Sequence, residues 1–226
     1  MAELEFEIGR ATRMANIHTL IVAGWTGRDR AAVEHHIAEL EAIGVKRPRA
    51  VPCFYRVGAN LLTHATAIDV CGCDSSGEVE FVLVSLDDGV HVAVGSDHTD
   101  RKVEAYSVTV SKQMCPKPLG RALWKFSEVE AHWDELILRS WVTRGGVREL
   151  YQEGPVTKML APRDLMARYL GHDGVLPVGT AMYCGTLATS TGTIGGGERF
   201  EIELDDPRSQ RKLQHAYTAH CLEMAD

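Results

Sequence analysis

Apolar positions along this chain fall into two periods, and the β-type period dominates. Thr19 to Ala23 is a short apolar run that reads as a strand, and Gly24-Trp25-Thr26-Gly27 breaks it. Across residues 29–43, Val33, Ile37 and Leu40 recur at i, i+4 and i+7, which predicts a helix. Thr26 or Asp29 is placed to cap its start, and Gly44 sits where a C-terminal glycine belongs. A loop with Pro48 and Pro52 follows. Strands are predicted at about 65–71, 78–86 and 90–94, the last two joined by an Asp88-Gly89 hairpin turn. After a loop over 96–102 and a mixed stretch comes a polar helical piece near 128–135. Residues 136–143 and 147–151 form a second hairpin through Gly145-Gly146. Pro162-Arg163-Asp164 opens a short helix with proline in its favoured first turn. Strands at 179–187 and 199–204, separated by a glycine-rich TGTIGGG, complete the pattern. The sum is an α+β, β-rich chain without internal repeats. The division expected is a small N-terminal α/β portion (1–50) ahead of a β-rich catalytic domain (51–226).

One predicted strand carries chemistry. Alternate residues on a strand share a face, so Glu78 and Glu80 point the same way in GEVEFVLVSL, along a face continued by Val82 and Val84. Like charges on an apolar face resist burial unless a cation joins them. Asp97, just past the next strand, would be returned towards the pair by antiparallel pairing. A hard divalent cation with oxygen ligands satisfies all three, while a solvated E-x-E strand face is the plainer alternative. On the helix, His36 and Glu39 stand at i, i+3, the spacing of either an exposed ion pair or a carboxylate-oriented general base. His35 has only Glu39 at i+4, which it would have to share with His36. Lys112, among apolar neighbours, is either solvated or partly desolvated, and desolvation would depress its pKa or aim it at an anion.

Composition narrows the classes. The 226 residues carry 24 Lys and Arg against 31 Asp and Glu, a net charge of −7, which argues against general nucleic-acid binding. The basic cluster 208–212 follows Glu203, Asp205 and Asp206 and reads as a solvated turn. No apolar run approaches the roughly 18 residues that cross a membrane, and nothing near the start resembles a signal peptide, so a cytoplasmic protein is expected. Six scattered cysteines predict free thiols rather than a disulfide framework; Cys71 and Cys73 with His64 make an incomplete zinc set. Gly195-Gly196-Gly197 lacks the Lys-Ser/Thr of a phosphate loop, and Ser190 lacks a nucleophile-elbow context.

Taken in chain order, these residues resemble the fumarylacetoacetate hydrolase superfamily. Its E-x-E and its N-D-x-[ST]-x-R-D loop resemble Glu78, Glu80 and Asp97 with Thr99 and Arg101. Its G-K-[ST] lysine resembles Lys112 ahead of Cys115-Pro116. Its N-G-x-x-x-Q hairpin resembles Gly146 to Gln152, and its G-T-P strand end resembles Cys184-Gly185-Thr186. Its G-D-x-[VI]-E step resembles Gly197 to Glu201, and its D-H-x-x-E lid resembles His35 to Glu39. The family's G-R-N-Y is replaced by Gly27-Arg28-Asp29-Arg30, Ser96 stands where asparagine is usual, Asp100 lies between Thr99 and Arg101, and Lys102 replaces the final aspartate. The resemblance implies a mixed β-sheet roll with a lid helix, a homodimer, and a small-molecule substrate. It also implies Mg2+ or Mn2+ on Glu78, Glu80 and Asp97. Catalytic roles fall to His36, Glu39 and Lys112, and substrate contacts to Arg28, Arg101, Gln152 and Thr186. The implied activity is C–C bond hydrolysis of a 2-oxo acid or β-dicarbonyl compound through an enolate, with water activated by His36 and Glu39. Decarboxylation, hydration, tautomerisation, or non-catalytic metal or sugar-acid binding are the alternatives.

Overall fold

A computed structural model describes residues 1–42, 47–190, 192 and 194–225; the side chains of residues 36, 39, 40 and 42 lie outside the described part. In chain order, β1 (Ala2–Ile8) and β2 (Ala11–Ile17) form a hairpin, followed by β3 (Thr19–Gly24), α1 (Arg30–Ala42) and β4 (Cys53–Val57). Next come β5 (Leu62–Thr63), β6 (Ala67–Cys71), β7 (Ser75–Ser76), β8 (Val79–Leu86), β9 (Gly89–Ser96) and β10 (Thr99–Asp100). Helices α2 (Arg101–Tyr106) and α3 (Val108–Met114) lead to β11 (Lys117–Pro118), β12 (Ala122–Lys125) and α4 (Phe126–Val129). The chain continues through β13 (Ile137–Arg144), β14 (Val147–Pro155), α5 (Pro162–Leu170), β15 (Thr180–Tyr183), β16 (Arg199–Asp206) and β17 (Arg211–Leu222).

The result is mostly β: curled mixed sheets with few helices, as the β-period patterning predicts. Eight strands pair in the order β2-β1-β12-β9-β8-β15-β3-β4, and five in the order β14-β13-β16-β17-β6. Strand β8 is buried along its whole length, so its two faces feed different cores. Val79, Phe81 and Leu83 pack with Leu138, Ile202, Leu204 and Leu213 of the five-stranded sheet. Val82, Val84 and Leu86 pack with Phe6, Ile17, Leu20 and Val22. The segment before residue 50 therefore contributes strands and core side chains to the same sheet as the segment after it.

Several local expectations change. The helix predicted over 29–43 is α1, and Asp29 rather than Thr26 caps it, its Oδ1 accepting from the amides of Ala31 and Ala32 at 3.0 Å each. Gly44, expected past its end, lies outside the described residues. The mixed stretch after Asp100 is helical because Asp100 and Ser107 each accept an amide of the turn that follows, from Val103 at 2.8 Å and Val110 at 3.4 Å. The solvated basic turn is corrected in part. Arg211 and Lys212 open β17, where Arg211 lies 3.2 Å from Asp206 and stacks over Trp124, and Lys212 reaches Glu203 at 2.9 Å. The reading of all cysteines as free thiols is also corrected. Cys73 and Cys221, 148 residues apart with Cα atoms 5.2 Å apart, form a disulfide, which also removes Cys73 from any zinc set. The register that places them is long-range: β17 runs parallel to β6, bringing residue 221 beside residue 70. Among the described residues no helix is long and apolar enough to cross a membrane.

Candidate metal centre

The β8–β9 hairpin builds the acidic site. Its antiparallel register sets Glu80 opposite Gly95 and Val79 opposite Ser96, and the Asp97 amide donates to the Glu78 carbonyl at 3.0 Å. Glu78 thus ends the strand that Asp97 faces, and one carboxylate oxygen from each of Glu78, Glu80 and Asp97 lies within 4.8 Å of the others. Glycine is required at position 95, since a Cβ there would come within 2.7 Å of both Tyr183 Cε1 and Val82 Cγ2.

Each carboxylate has its own anchor. Glu80 accepts the Gly185 amide at 2.6 Å. Burial, reinforced by the charges of Asp97 and Glu78, pushes its carboxyl well above the usual range. Glu78 accepts from Arg101 Nη1 at 3.1 Å, and burial raises it too, although Arg101 and Lys112 oppose the shift. Asp97 is fully buried between two lysines. Lys112 contacts its Oδ2 and stands 3.7 Å from Glu78 Oε2; Lys117 stands 3.0 Å from Oδ1. Burial alone would raise Asp97, but the two ammonium groups together outweigh it and hold the carboxyl far below the usual range. The expected depression of Lys112 is overturned for the same reason: burial lowers its pKa, yet Asp97 and Glu78 raise it by more, and the ammonium stays charged.

A layer of neutral groups supports these ions. Ser96 Oγ accepts the Glu78 amide at 3.1 Å and shares a 2.7 Å hydrogen bond with Tyr217. His98, pushed down to about 3 by burial and the neighbouring Lys117 and Arg101 charges, bonds as a neutral ring to Tyr217 at 3.0 Å and to Ser75 at 2.9 Å. Thr99 Oγ1 donates to the Asp97 carbonyl at 2.9 Å, fixing the loop.

Glu78, Glu80, Asp97 and Lys112 therefore meet. The remaining predicted residues are placed differently. Arg101 binds Glu78, Glu104 and Ser76, so it touches the triad through a ligand. Gln152 has every polar site engaged: Nε2 donates to Thr186 Oγ1 (2.8 Å) and the Leu187 carbonyl (2.6 Å), while Oε1 accepts from the Val79 amide and Ser140 Oγ, both at 3.0 Å. Thr186 Oγ1 donates to the Val79 carbonyl at 2.8 Å. Both tie the 184–187 segment to the base of β8. Arg28 forms a two-pronged ion pair with Asp134 at 2.9 Å and donates to the Met159 carbonyl at 3.1 Å, clamping the segment before α1. His36 and Glu39 lie on α1, and their side chains are outside the described residues. Lys117, His98 and Tyr217 escaped the sequence reading, because a buried lysine in CPKPLG carries no periodic signal.

The donor set fits a small hard cation: three clustered carboxylates, those of Glu80 and Asp97 buried and that of Glu78 partly buried, with Glu78 and Glu80 raised by burial. Comparison with solved structures identifies the fold as that of the fumarylacetoacetate hydrolase family. Fumarylpyruvate hydrolase from Pseudomonas aeruginosa in complex with Mn2+ and pyruvate is 15% identical with a TM-score of 0.65, covering 98% of this chain and 97% of that one. 2-Keto-3-deoxy-D-arabinonate dehydratase complexed with magnesium and 2,5-dioxopentanoate is 18% identical with a TM-score of 0.61, covering 96% and 79%. Yeast ynq8, a fumarylacetoacetate hydrolase family protein, is 16% identical with a TM-score of 0.59, covering 93% and 97%. No curated protein matches the sequence. Within this fold, the chain belongs to the family described as "Protein of unknown function (DUF2848)", whose model matches residues 23–217.

Proposed function

We propose that this chain is a Mg2+- or Mn2+-dependent enzyme that hydrolyses a C–C bond in a 2-oxo acid or β-dicarbonyl compound. The observation that carries the reading is the convergence of Glu78, Glu80 and Asp97 within 4.8 Å, inside a fold whose solved members include complexes with Mn2+ and pyruvate. Glu78, Glu80 and Asp97 would hold the cation, which when bound supplies Lewis acidity towards adjacent carbonyl and carboxylate oxygens. Lys112 brings a fixed positive charge to the rim of the triad, where it favours a substrate carboxylate or negative charge developing on oxygen. Arg101, Gln152 and Thr186 act by holding Glu78 and the 184–187 segment in place. His36, oriented by Glu39, takes a proton from water, and α1 serves as a lid that excludes solvent, with Arg28 and Asp134 clamping its base. The proposed assembly is a cytoplasmic homodimer acting on a small molecule.

A second reading, hydration or dehydration of a 2-oxo sugar acid, is favoured by the likeness to the arabinonate dehydratase. Turnover of acylpyruvates, oxaloacetate and sugar-derived 2-oxo acids, each with and without chelator, tests the class. Chelator-sensitive turnover is expected, and its absence across the panel would leave a binding module. His36→Ala should abolish hydrolysis of acylpyruvates. Full hydrolysis by that variant, alongside an inactive Glu80→Ala, would remove His36 from the water-activating role. Decarboxylation by both wild type and His36→Ala, with no hydrolysis by either, would transfer the assignment to a reaction that needs no activated water.

A further inference from the structure

The triad is flanked by two buried lysines, and they face it differently. Lys112 touches Asp97 Oδ2 and stands 3.7 Å from Glu78 Oε2, so Oδ2 lies on the side of Asp97 that faces Glu78. Lys117 stands behind, 3.0 Å from Oδ1, and donates to the His98 carbonyl at 2.6 Å. Its side chain is 0% exposed. Its backbone is fixed as well: β11 pairs with β5, and Tyr183 OH donates to the carbonyls of Lys117 and Pro118 at 3.2 and 2.9 Å. Among the described residues Oδ1 has no partner in hydrogen-bond geometry, so the charge of Lys117 alone holds that oxygen.

We propose that Lys117 is a positioning residue that confines Asp97 to one-oxygen ligation and so sets which divalent cation the triad accepts. The inference rests on the reading of Glu78, Glu80 and Asp97 as a cation site. Ca2+ accepts six to eight oxygens at longer distances and readily takes both oxygens of a carboxylate, whereas the smaller Mg2+ takes near-octahedral sets built from single oxygens and water. An ammonium locked against Oδ1 opposes the rotation that would turn both oxygens of Asp97 to the cation. It thereby discriminates against the larger ion. Outer partners of metal ligands commonly control affinity by about 10–100-fold, the scale expected here.

Calorimetric titration of the full chain with Mn2+ alone, with Ca2+ alone, and with Ca2+ in competition against Mn2+ tests this. Wild type should bind Mn2+ at least about tenfold more tightly than Ca2+. Lys117→Met should narrow that preference by about tenfold, through tighter Ca2+ binding. Lys117→Gln, which keeps a donor, should narrow it less. Equal wild-type affinities for the two ions would overturn the proposal even if neither variant folds. So would a folded Lys117→Met with the wild-type ratio, while Mn2+ binding itself survives. No Mn2+ uptake by wild type would instead overturn the cation reading, and this inference with it.

Discussion

Glu80→Gln is expected to abolish Mn2+ binding and metal-dependent turnover while leaving the metal-free protein as stable as wild type or more so. The two effects have one cause. Burial holds the Glu80 carboxyl well above its ordinary pKa, so the folded state binds its proton more tightly than the unfolded chain does. Near neutral pH a native ionised Glu80 therefore lowers stability, and glutamine removes that cost while keeping an oxygen for the Gly185 amide. A cation needs the charge that glutamine lacks. Loss of an outer partner costs about 10–100-fold in metal affinity, so loss of a ligand should exceed the upper end of that range. The same linkage gives a pH dependence: cation uptake by wild type should release protons and weaken as pH falls through the raised pKa of Glu80. Calorimetry and thermal melts check all of this. A Glu80→Gln protein that binds Mn2+ like wild type would remove Glu80 from the site.

Gly185→Ala should be nearly as damaging by a different route. Gly185 has φ +98°, outside the range alanine adopts readily. A Cβ there would also overlap Thr26 Oγ1, approach Thr26 Cβ to 3.0 Å, and reach Met159 Cγ at 3.4 Å. Backbone strain of this kind costs about 1–3 kcal/mol, which for a chain of this size is a fall in Tm on the order of 2–12 °C. The Gly185 amide would also leave Glu80, and Thr26 would shift the segment that Leu160 and Arg28 hold at the start of α1. Mn2+ affinity should therefore fall by about tenfold or more. Gly145→Ala is the control: its φ is +54°, but the added Cβ meets nothing within 4 Å, so only the melt should move. Equal effects of the two substitutions on Mn2+ affinity would show that Gly185 does not support the site.

The triad was legible in the sequence because it depends on local rules alone. Period-2 alternation put Glu78 and Glu80 on one face, and a two-strand hairpin around Gly89 returned Asp97 to them. What surrounds the triad depends on long-range register. Tyr217 reaches His98 and Ser96 across about half the chain, and Lys117 is buried by a two-residue pairing with residues 62–63. Strand β17 was hidden because only Leu213 and Tyr217 of its twelve residues carry the buried signal clearly. The α2–α3 segment has no buried apolar stripe; it is helical through its caps, and the side chains it buries, Ser111 and Lys112, are polar. Motif position alone points to Arg101, Gln152 and Thr186 as substrate contacts. Motif position finds residues that matter near a site but does not say whether they touch the ligand or the groups that hold it.

Anomalous diffraction from crystals of the protein grown with Mn2+ would locate the cation directly. One peak per chain is expected within bonding distance of Glu78, Glu80 and Asp97. A protein that takes up Mn2+ but shows its peak elsewhere, with none among these three carboxylates, would contradict the assignment of the acidic triad as the metal centre.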